Sequence, residues 1–117
     1  MKVQAISRNV RMSAQKMREV VRQIQGLPAA RAQAVLAVVP RKGARVVAKT
    51  LKSALANAED LKTHKPEYNA LKTDRLRVQE AVAQNATTTR TFTPKARGSA
   101  GPILKRRCHV KITLSDD

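Results

Sequence analysis

Apolar residues recur at the spacing of a helix face in the first half of the chain. A first helix is expected after Ser13, whose hydroxyl can accept a hydrogen bond from amides of the first turn, and it is expected to stop at Gly26. Pro28 suits the first turn of a second helix, which we expect to run to about Val39 before Pro40 ends it. The apolar face of the first helix comprises Met17, Val20, Val21 and Ile24. Both segments are therefore predicted to be short helices with one buried side.

A third and longer helix is predicted from about Arg41 to Asp60. Its buried stripe is expected to comprise Val47, Thr50, Leu51, Ala54, Leu55 and Ala58. Because several of these side chains are small, the helix can pack closely against its neighbours. The stretch from Leu61 to Asp74, which contains Pro66, is predicted to be a connecting loop.

The pattern changes to that of strands in the second half of the chain. Residues Cys108 to Leu114 alternate between an apolar face and a polar face. Leu76 to Val82 is also predicted to be a strand, as is Lys2 to Val10, where the periodicity is weaker. The apolar face of the last strand comprises Cys108, Val110, Ile112 and Leu114, and its polar face comprises His109, Lys111 and Thr113. Such strands can form a sheet that the helices cover.

Roughly 20 residues separate the last two predicted strands, which is too long for a tight hairpin loop. Either this segment is disordered or the strands continue outward as an arm. The run from Thr87 to Thr93 favours an arm, because threonine has high strand propensity, and Gly98 and Gly101 suit a turn. We predict an α+β fold in a single domain (1–117), with a small body of three helices packed on a short antiparallel sheet. A long protruding basic β-hairpin arm is expected over about residues 83–104.

Charge indicates the class of partner. The chain has 24 Lys and Arg against 8 acidic residues, a formal net charge of +16. Self-repulsion of this size is relieved by an anionic partner, and membranes and nucleic acids are the usual two. No acidic residue lies between Asn85 and Leu114. Since no apolar run approaches the roughly 18 residues of a spanning helix, and no signal peptide is evident, we expect an intracellular protein that binds nucleic acid.

Patterns typical of catalysis do not occur in the sequence. There is no Ser/His/Asp order, no metal-ligand spacing and no phosphate-binding glycine loop, so we expect no enzyme, no catalytic residue, no metal and no cofactor. Cys108 and His109 are adjacent, but neighbouring residues of a strand face opposite ways. We therefore expect Cys108 to face the core, and His109 to be a donor that faces the nucleic acid or a solvated side chain.

Two other binding classes are less consistent with the sequence. An architectural DNA-binding protein uses paired basic arms that insert an apolar residue, such as Phe92, into the minor groove. Such a protein requires a dimer, and no strong apolar seam for one is evident. A membrane-active basic protein would need a bulky apolar helix face opposite its charges, which is also lacking. Relative affinity for structured RNA and duplex DNA at equal salt separates this DNA-binding alternative from a protein that binds RNA.

The segment PKARGSAGPILKRRCHVKITL resembles the signature of the large-subunit ribosomal protein twenty-two family, of bacterial type. That pattern is a basic Pro-x-Ala-x-Gly turn, an Ile, a Lys-Arg pair, and then a His and an alternating strand. The matching residues are Pro94, Ala96, Gly98, Ala100, Ile103, Lys105, Arg106 and His109. Similar spacing recurs at Arg8, Val10, Arg11, Ser13, Lys16 and Arg18, and in LKSALANAED from Leu51 to Asp60. The chain departs from the family at Ala14, Ser99 and Pro102, where Pro, Arg and a basic residue are common.

This resemblance implies a structural constituent of the large ribosomal subunit that binds large-subunit (23S-type) rRNA during assembly. The hairpin tip would contribute to the wall of the nascent-peptide exit tunnel. The rRNA-binding residues implied are Arg8, Arg11, Lys16, Arg18, Lys105, Arg106, Arg107, His109 and Lys111. The tip residues implied are Arg90, Thr91, Phe92, Lys95, Arg97 and Gly98. The implied partners are rRNA, neighbouring ribosomal proteins and the nascent polypeptide. The protein would be a monomer within a cytoplasmic or organellar ribosome, without membrane contact.

Recognition is expected to rely on RNA shape and backbone charge. The chain has only Tyr68 and Phe92 as aromatic residues, whereas readers of single-stranded RNA stack bases on several. Three roles remain open for Phe92: a staple at the base of the arm, an intercalating wedge, or a group exposed in the tunnel. For the ring of Phe92, packing within the folded tip is slightly favoured.

Overall fold

All three predicted helices form in the computed structural model, which describes residues 1–116. The helices are α1 (Ala14–Val21), α2 (Ala29–Val38) and α3 (Lys42–His64). Ser13 caps α1 as predicted, because its Oγ accepts a hydrogen bond from the Lys16 backbone N–H at 3.4 Å. Helix α1 ends at Val21, so its predicted stop at Gly26 is wrong: residues 22–26 form turns, and Gly26, with a φ of +79°, donates its N–H to the Val78 carbonyl at 2.8 Å.

The described residues form two antiparallel sheets. The strands are β1 (Lys2–Val10), β2 (Arg77–Asn85), β3 (Thr89–Pro94), β4 (Ala100–Lys105) and β5 (Cys108–Ser115). The body sheet has the order β1-β5-β2, and β3 pairs with β4 in a separate hairpin. The predicted α+β fold, with three helices on an antiparallel sheet, is thus confirmed.

The core lies between the helices and one face of the body sheet. Helix α3 packs on β1 and β5, and α1 packs mainly on β2. The predicted apolar face of β5 is completely buried: Cys108, Val110, Ile112 and Leu114 are each 0 % exposed. Thr113, on the opposite face, is also buried, because β5 is central and Gln4 and Glu80 flank this residue by register. Burial on both faces is therefore greater than simple alternation indicated.

The body differs from the prediction after residue 60. Helix α3 continues to His64, so the predicted start of a loop at Leu61 is wrong. Leu61 packs against the core, which favours one more helical turn, and within this turn the Thr63 hydroxyl donates to the Glu59 carbonyl at 2.9 Å. The following segment contains short 3-10 turns and is anchored by the buried Leu71.

Strand β2 also differs from its predicted bounds, Leu76 to Val82. It begins one residue later and extends to Asn85, which pairs with Cys108 of β5. Pairing with the central strand determines this end, whereas the local sequence there is polar. Residues 83–85 consequently belong to the body sheet, and the hairpin strands occupy residues 89–105.

The hairpin of β3 and β4 extends from the body as an arm. Its strands pair from Thr89 with Lys105 to Pro94 with Ala100, and they pack chiefly on each other. A compact chain of this length has a radius of gyration of about 13 Å. The observed value is 17.8 Å, and the Cα atoms extend over 67 × 28 × 16 Å. The body alone supplies the hydrophobic core.

We expect Leu51→Ala to lower the free energy of unfolding by about 2 to 5 kcal/mol, because this fully buried side chain would leave a cavity under the sheet. Leu55 lies one turn further along α3 and is only half-buried, so Leu55→Ala is the matched control and should cost roughly half as much or less. Urea unfolding followed by circular dichroism measures both. Equal losses would show that the buried stripe of α3 is misplaced.

Candidate nucleic-acid interface

Several predicted RNA-binding residues meet at the root of the arm because of the sheet topology. Cys108, the first residue of the central strand, pairs with Val10 on one side and with Asn85 on the other. The chain therefore leaves the sheet at the same end from all three strands. Arg11 follows β1 at this point, and Arg107 directly precedes β5. A hydrogen bond from the Ala86 N–H to the Arg107 carbonyl, at 3.1 Å, closes the root.

Two grooves at this root are lined by cationic side chains. The first has a volume of about 470 Å³ and is lined by Arg11, Leu104, Lys105, Arg106 and Arg107. The second is of similar volume and runs along the start of α1, where its lining residues are Ser13, Ala14, Gln15, Lys16, Arg18, Asn85 and Arg106. Arg106 borders both grooves. The two predicted basic blocks, far apart in sequence, therefore form one continuous surface. We refer to its cations as the arm-root cluster: Arg11, Lys16, Arg18, Lys105, Arg106 and Arg107.

The arm-root cluster has no carboxylate partners within residues 1–116. The ion pairs within residues 1–116 involve other residues: the Met1 ammonium with Asp116 at 2.9 Å, Arg41 with Glu19 at 3.4 Å, and His64 with Asp60 at 3.4 Å. Six cations that are close together and lack counter-charges repel one another, and an anion relieves this repulsion. The N-terminus of α1 adds positive potential from its backbone amides, and no acidic residue lies in its first turn. The geometry therefore suits a string of phosphates.

A β-bulge beside the root fixes the orientation of His109. Ser7 pairs with Val110 and Val10 pairs with Cys108, so two residues of β1 lie opposite His109. Asn9 has a φ of 56°, and its backbone N–H donates to His109 Nδ1 at 3.1 Å. With Nδ1 accepting, the proton of the neutral ring is on Nε2. The half-buried imidazole can therefore present one N–H donor to a partner.

Two predicted RNA-binding residues lie apart from the arm-root cluster. Arg8 is exposed within the bulge of β1, opposite His109. Lys111 is half-buried in the middle of β5, where it pairs with Ile6 and Val82 on the face away from the helices. These side chains extend the cationic surface across the open face of the sheet. They do not line the grooves at the root.

Cys108 faces the core, as predicted. Its thiol is completely buried, and burial raises the pKa of the thiol, which keeps it protonated at neutral pH. Within residues 1–116, no group of three His, Cys, Asp or Glu side chains lies close enough together to hold a metal ion. The same part of the chain contains no helix that is long and apolar enough to cross a membrane.

The tip of the arm is a short turn. Arg97 and Gly98 both have left-handed backbones, with φ of 62° and 73°. The turn is closed by the Lys95 N–H, which donates to the Ser99 carbonyl at 2.7 Å. The aliphatic part of the Lys95 side chain lies against Gly101, where a Cβ atom would come within 2.6 Å of it. The tip therefore presents Arg97 and the end of Lys95 on a tightly folded backbone.

Arg90 and Thr91 lie on the shaft of the arm, outside the turn. They pair with Leu104 and Ile103, in the half of the hairpin nearer the body. The threonine-rich run forms strand up to Pro94, so only a few residues remain for the turn. Arg90 and Thr91 therefore lie outside the tip, in which they were predicted to lie.

Phe92 does not pack within the folded tip, so the slightly favoured prediction that it does is wrong. Its side chain is 74 % exposed in the middle of β3, opposite Pro102. A two-stranded hairpin has no second layer that could cover an aromatic ring. Asn85 and Gln15 also line a groove at the root, and no sequence pattern predicted this, because it follows from long-range pairing and helix placement.

Comparison with known proteins agrees with these features. Residues 5–115 match the family described as Ribosomal protein L22p/L17e. The large ribosomal subunit protein uL22 of Opitutus terrae is 47 % identical over 116 residues, covering 99 % of this chain and 96 % of that protein. The protein of the same name from Akkermansia muciniphila is 44 % identical over 117 residues, covering 99 % of this chain and 97 % of its own length. The match includes the three helices, the body sheet and the arm. This chain therefore belongs to the L22p/L17e family of ribosomal proteins.

Proposed function

We propose that this protein is a structural constituent of the large ribosomal subunit and has no enzymatic activity. It binds large-subunit rRNA during assembly, through the arm-root cluster and the neighbouring Arg8, His109 and Lys111. Its arm reaches inward, so that the turn at Lys95 to Ser99 contributes to the wall of the nascent-peptide exit tunnel. It is a cytoplasmic monomer that contacts neighbouring ribosomal proteins within the particle. Family membership supports the ribosomal role, and the finer assignments have the following physical support.

The main support for RNA binding is that the cations of the arm-root cluster lie together at one end of the body sheet. Six cations from two distant parts of the sequence line adjoining grooves, and within residues 1–116 none has a carboxylate partner. Each phosphate neutralised by such a side chain releases condensed counterions, which favours binding. Since the grooves hold no aromatic side chain, contacts there are made to the backbone of the RNA and position the protein on it.

The shape of the molecule supports the role of the arm. The long dimension of 67 Å is more than twice the next, 28 Å, so the tip reaches beyond anything that the body can touch. Across the whole arm there is no acidic side chain that would repel surrounding phosphates. An arm of this charge can thread between RNA segments and place its turn at a cavity within the particle.

The tunnel assignment is tested with a photo-crosslinking residue at Ala96 in the turn. Crosslinks from Ala96 to nascent chains are expected in translating ribosomes, because the turn is the part of the arm farthest from the body. Gln33 on the exposed side of α2 is the matched control position and should give none. Both variants should enter particles normally, since neither position belongs to the arm-root cluster. If the Ala96 probe enters particles and crosslinks only to RNA or other proteins, the tunnel assignment is wrong and RNA binding stands alone.

A further inference from the structure

One face of the arm is apolar, a feature that phosphate binding does not explain. Directly opposed residues of an antiparallel pair share a face, and alternate residues of each strand do so as well. The register therefore places six residues on this face: Arg90, Phe92, Pro94, Ala100, Pro102 and Leu104. Phe92 is 74 % exposed and Leu104 is 43 % exposed. The opposite face carries three threonines of β3 together with Gly101, Ile103 and Lys105 of β4.

Phe92 and Pro102 lie at the centre of this face. They are directly opposed in the hairpin, and Pro102 has no N–H to exchange with its partner. This suits a non-hydrogen-bonded pair, in which opposed side chains lie closest together. The aromatic ring and the pyrrolidine ring thus form one apolar surface. Arg90 lies two residues from Phe92 on the same face, toward the body.

The surroundings of this pair favour a nucleotide as its occupant. No acidic residue lies between Ala81 and Ser115, and Arg90 lies on the same face as this pair, toward the root. Lys105 lies on the opposite face, where the Lys95 side chain covers Gly101. An apolar peptide segment would cover the two rings and gain nothing from the charge of Arg90. An unpaired nucleotide satisfies both, because its base has an apolar face for the rings and its phosphates are anionic.

We infer that Phe92 and Pro102 are a stacking platform for one unpaired RNA base, with the Arg90 guanidinium on an adjacent phosphate. This inference rests on the proposed binding of rRNA and adds a base contact to an interface otherwise made to phosphates. Stacking on an aromatic side chain strengthens binding about 5- to 100-fold per base, and it tolerates any base because each has a π-face. The contact anchors the shaft of the arm between the root and the tip.

The first test compares Phe92→Leu, which keeps an apolar side chain without a ring, with Phe92→Tyr, which keeps the ring. Binding to a full-length large-subunit rRNA transcript is measured across a range of salt concentrations. We expect Phe92→Leu to weaken binding about 5- to 100-fold at every salt concentration, with an unchanged salt slope, because no charge is lost. Phe92→Tyr should remain within about twofold of the unmodified protein, since stacking on a ring is retained. Equal affinities of the two variants would overturn the stacking platform.

A second test detects stacking through the fluorescence of a tryptophan placed at this position. The chain contains no tryptophan, so Phe92→Trp introduces a single fluorophore at this position. We expect a decamer of adenylate to quench its fluorescence, and an abasic decamer of the same charge to leave it unchanged. Quenching by both would mean that the ring senses charge and not a base, which contradicts the proposal.

The outcomes separate this inference from the proposed function. If Phe92→Leu leaves rRNA binding unchanged but reduces nascent-chain crosslinking from Ala96, the ring contacts peptide and the stacking platform is wrong. If the unmodified protein binds the transcript without a steep salt dependence, the proposed rRNA interface itself fails. Steep salt dependence together with insensitivity to Phe92→Leu would leave the interface intact and remove only the stacking.

Discussion

Replacing Lys105, Arg106 and Arg107 with alanine is expected to flatten the salt dependence of rRNA binding by roughly 2 to 3 units of slope. Each phosphate contact contributes about 0.7 to 0.9 to this slope, through the counterions that it releases. At 0.1 M salt the same change should weaken binding by about 100-fold or more. All three residues line one groove of the arm-root cluster, so they are expected to act on adjacent phosphates. Filter binding to a large-subunit rRNA transcript across a salt series measures both quantities.

The matched control for this variant is the replacement of Lys49, Lys52 and Lys62 with alanine. These residues are exposed on α3, outside the grooves at the arm root, and their loss changes the net charge by the same amount. The control should change the slope little, because overall charge acts more weakly than direct contact. If both variants flatten the slope equally, binding depends on net charge and the arm-root cluster is not a site.

Replacing residues 87–106 with an Asn-Gly turn should leave a folded body that binds rRNA far more weakly. Ala86 and Arg107 already share an N–H···O hydrogen bond, so the two flanking residues suit a two-residue hairpin. The replacement removes five cations: Arg90, Lys95, Arg97, Lys105 and Arg106. If all five contact phosphates, the salt slope should fall by about 3.5 to 4.5 units. Calorimetry should still show one cooperative unfolding transition, since none of the buried core residues is lost.

A one-residue linker in place of Asn-Gly is the control for this replacement. It cannot close a hairpin between Ala86 and Arg107, so it should strain the ends of β2 and β5 and lower the melting temperature. Loss of cooperative unfolding in the Asn-Gly variant itself would show that the arm contributes to the core. An unchanged salt slope in a folded variant would instead show that the arm does not contact phosphate.

The helices were predictable from sequence because local signals determine them. Ser13, Pro28 and Pro40 mark helix ends through their own backbone or hydrogen-bonding properties, whatever the rest of the fold does. Gly26 did not mark the end of α1, which stops at Val21. The end of α3 was missed because its last turn depends on a tertiary contact of Leu61. Polar residues at the end of β2 likewise become strand only because a central partner strand is available to them.

The candidate interface was predictable in its residues but not in its arrangement. Charge and motif identify Arg11 and Arg106, yet nothing local indicates that they line the same groove. That proximity follows from the order β1-β5-β2, a long-range property of the chain. The apolar face of the arm was missed for the same reason. Phe92 and Pro102 share a face only because the short turn sets the register of β3 and β4.

The position of β5 at the centre of the body sheet determines when the protein can fold during its own synthesis. β1 and β2 are made first, but neither is hydrogen-bonded to the other, and both wait for a strand that follows the whole arm in sequence. The helices can form as they emerge, because their contacts are local. The sheet cannot close until Cys108–Ser115 is available, so the basic arm is exposed before the body that carries it exists. Folding of the body therefore comes late, and under the proposed function RNA on the arm holds the chain in place before the body exists.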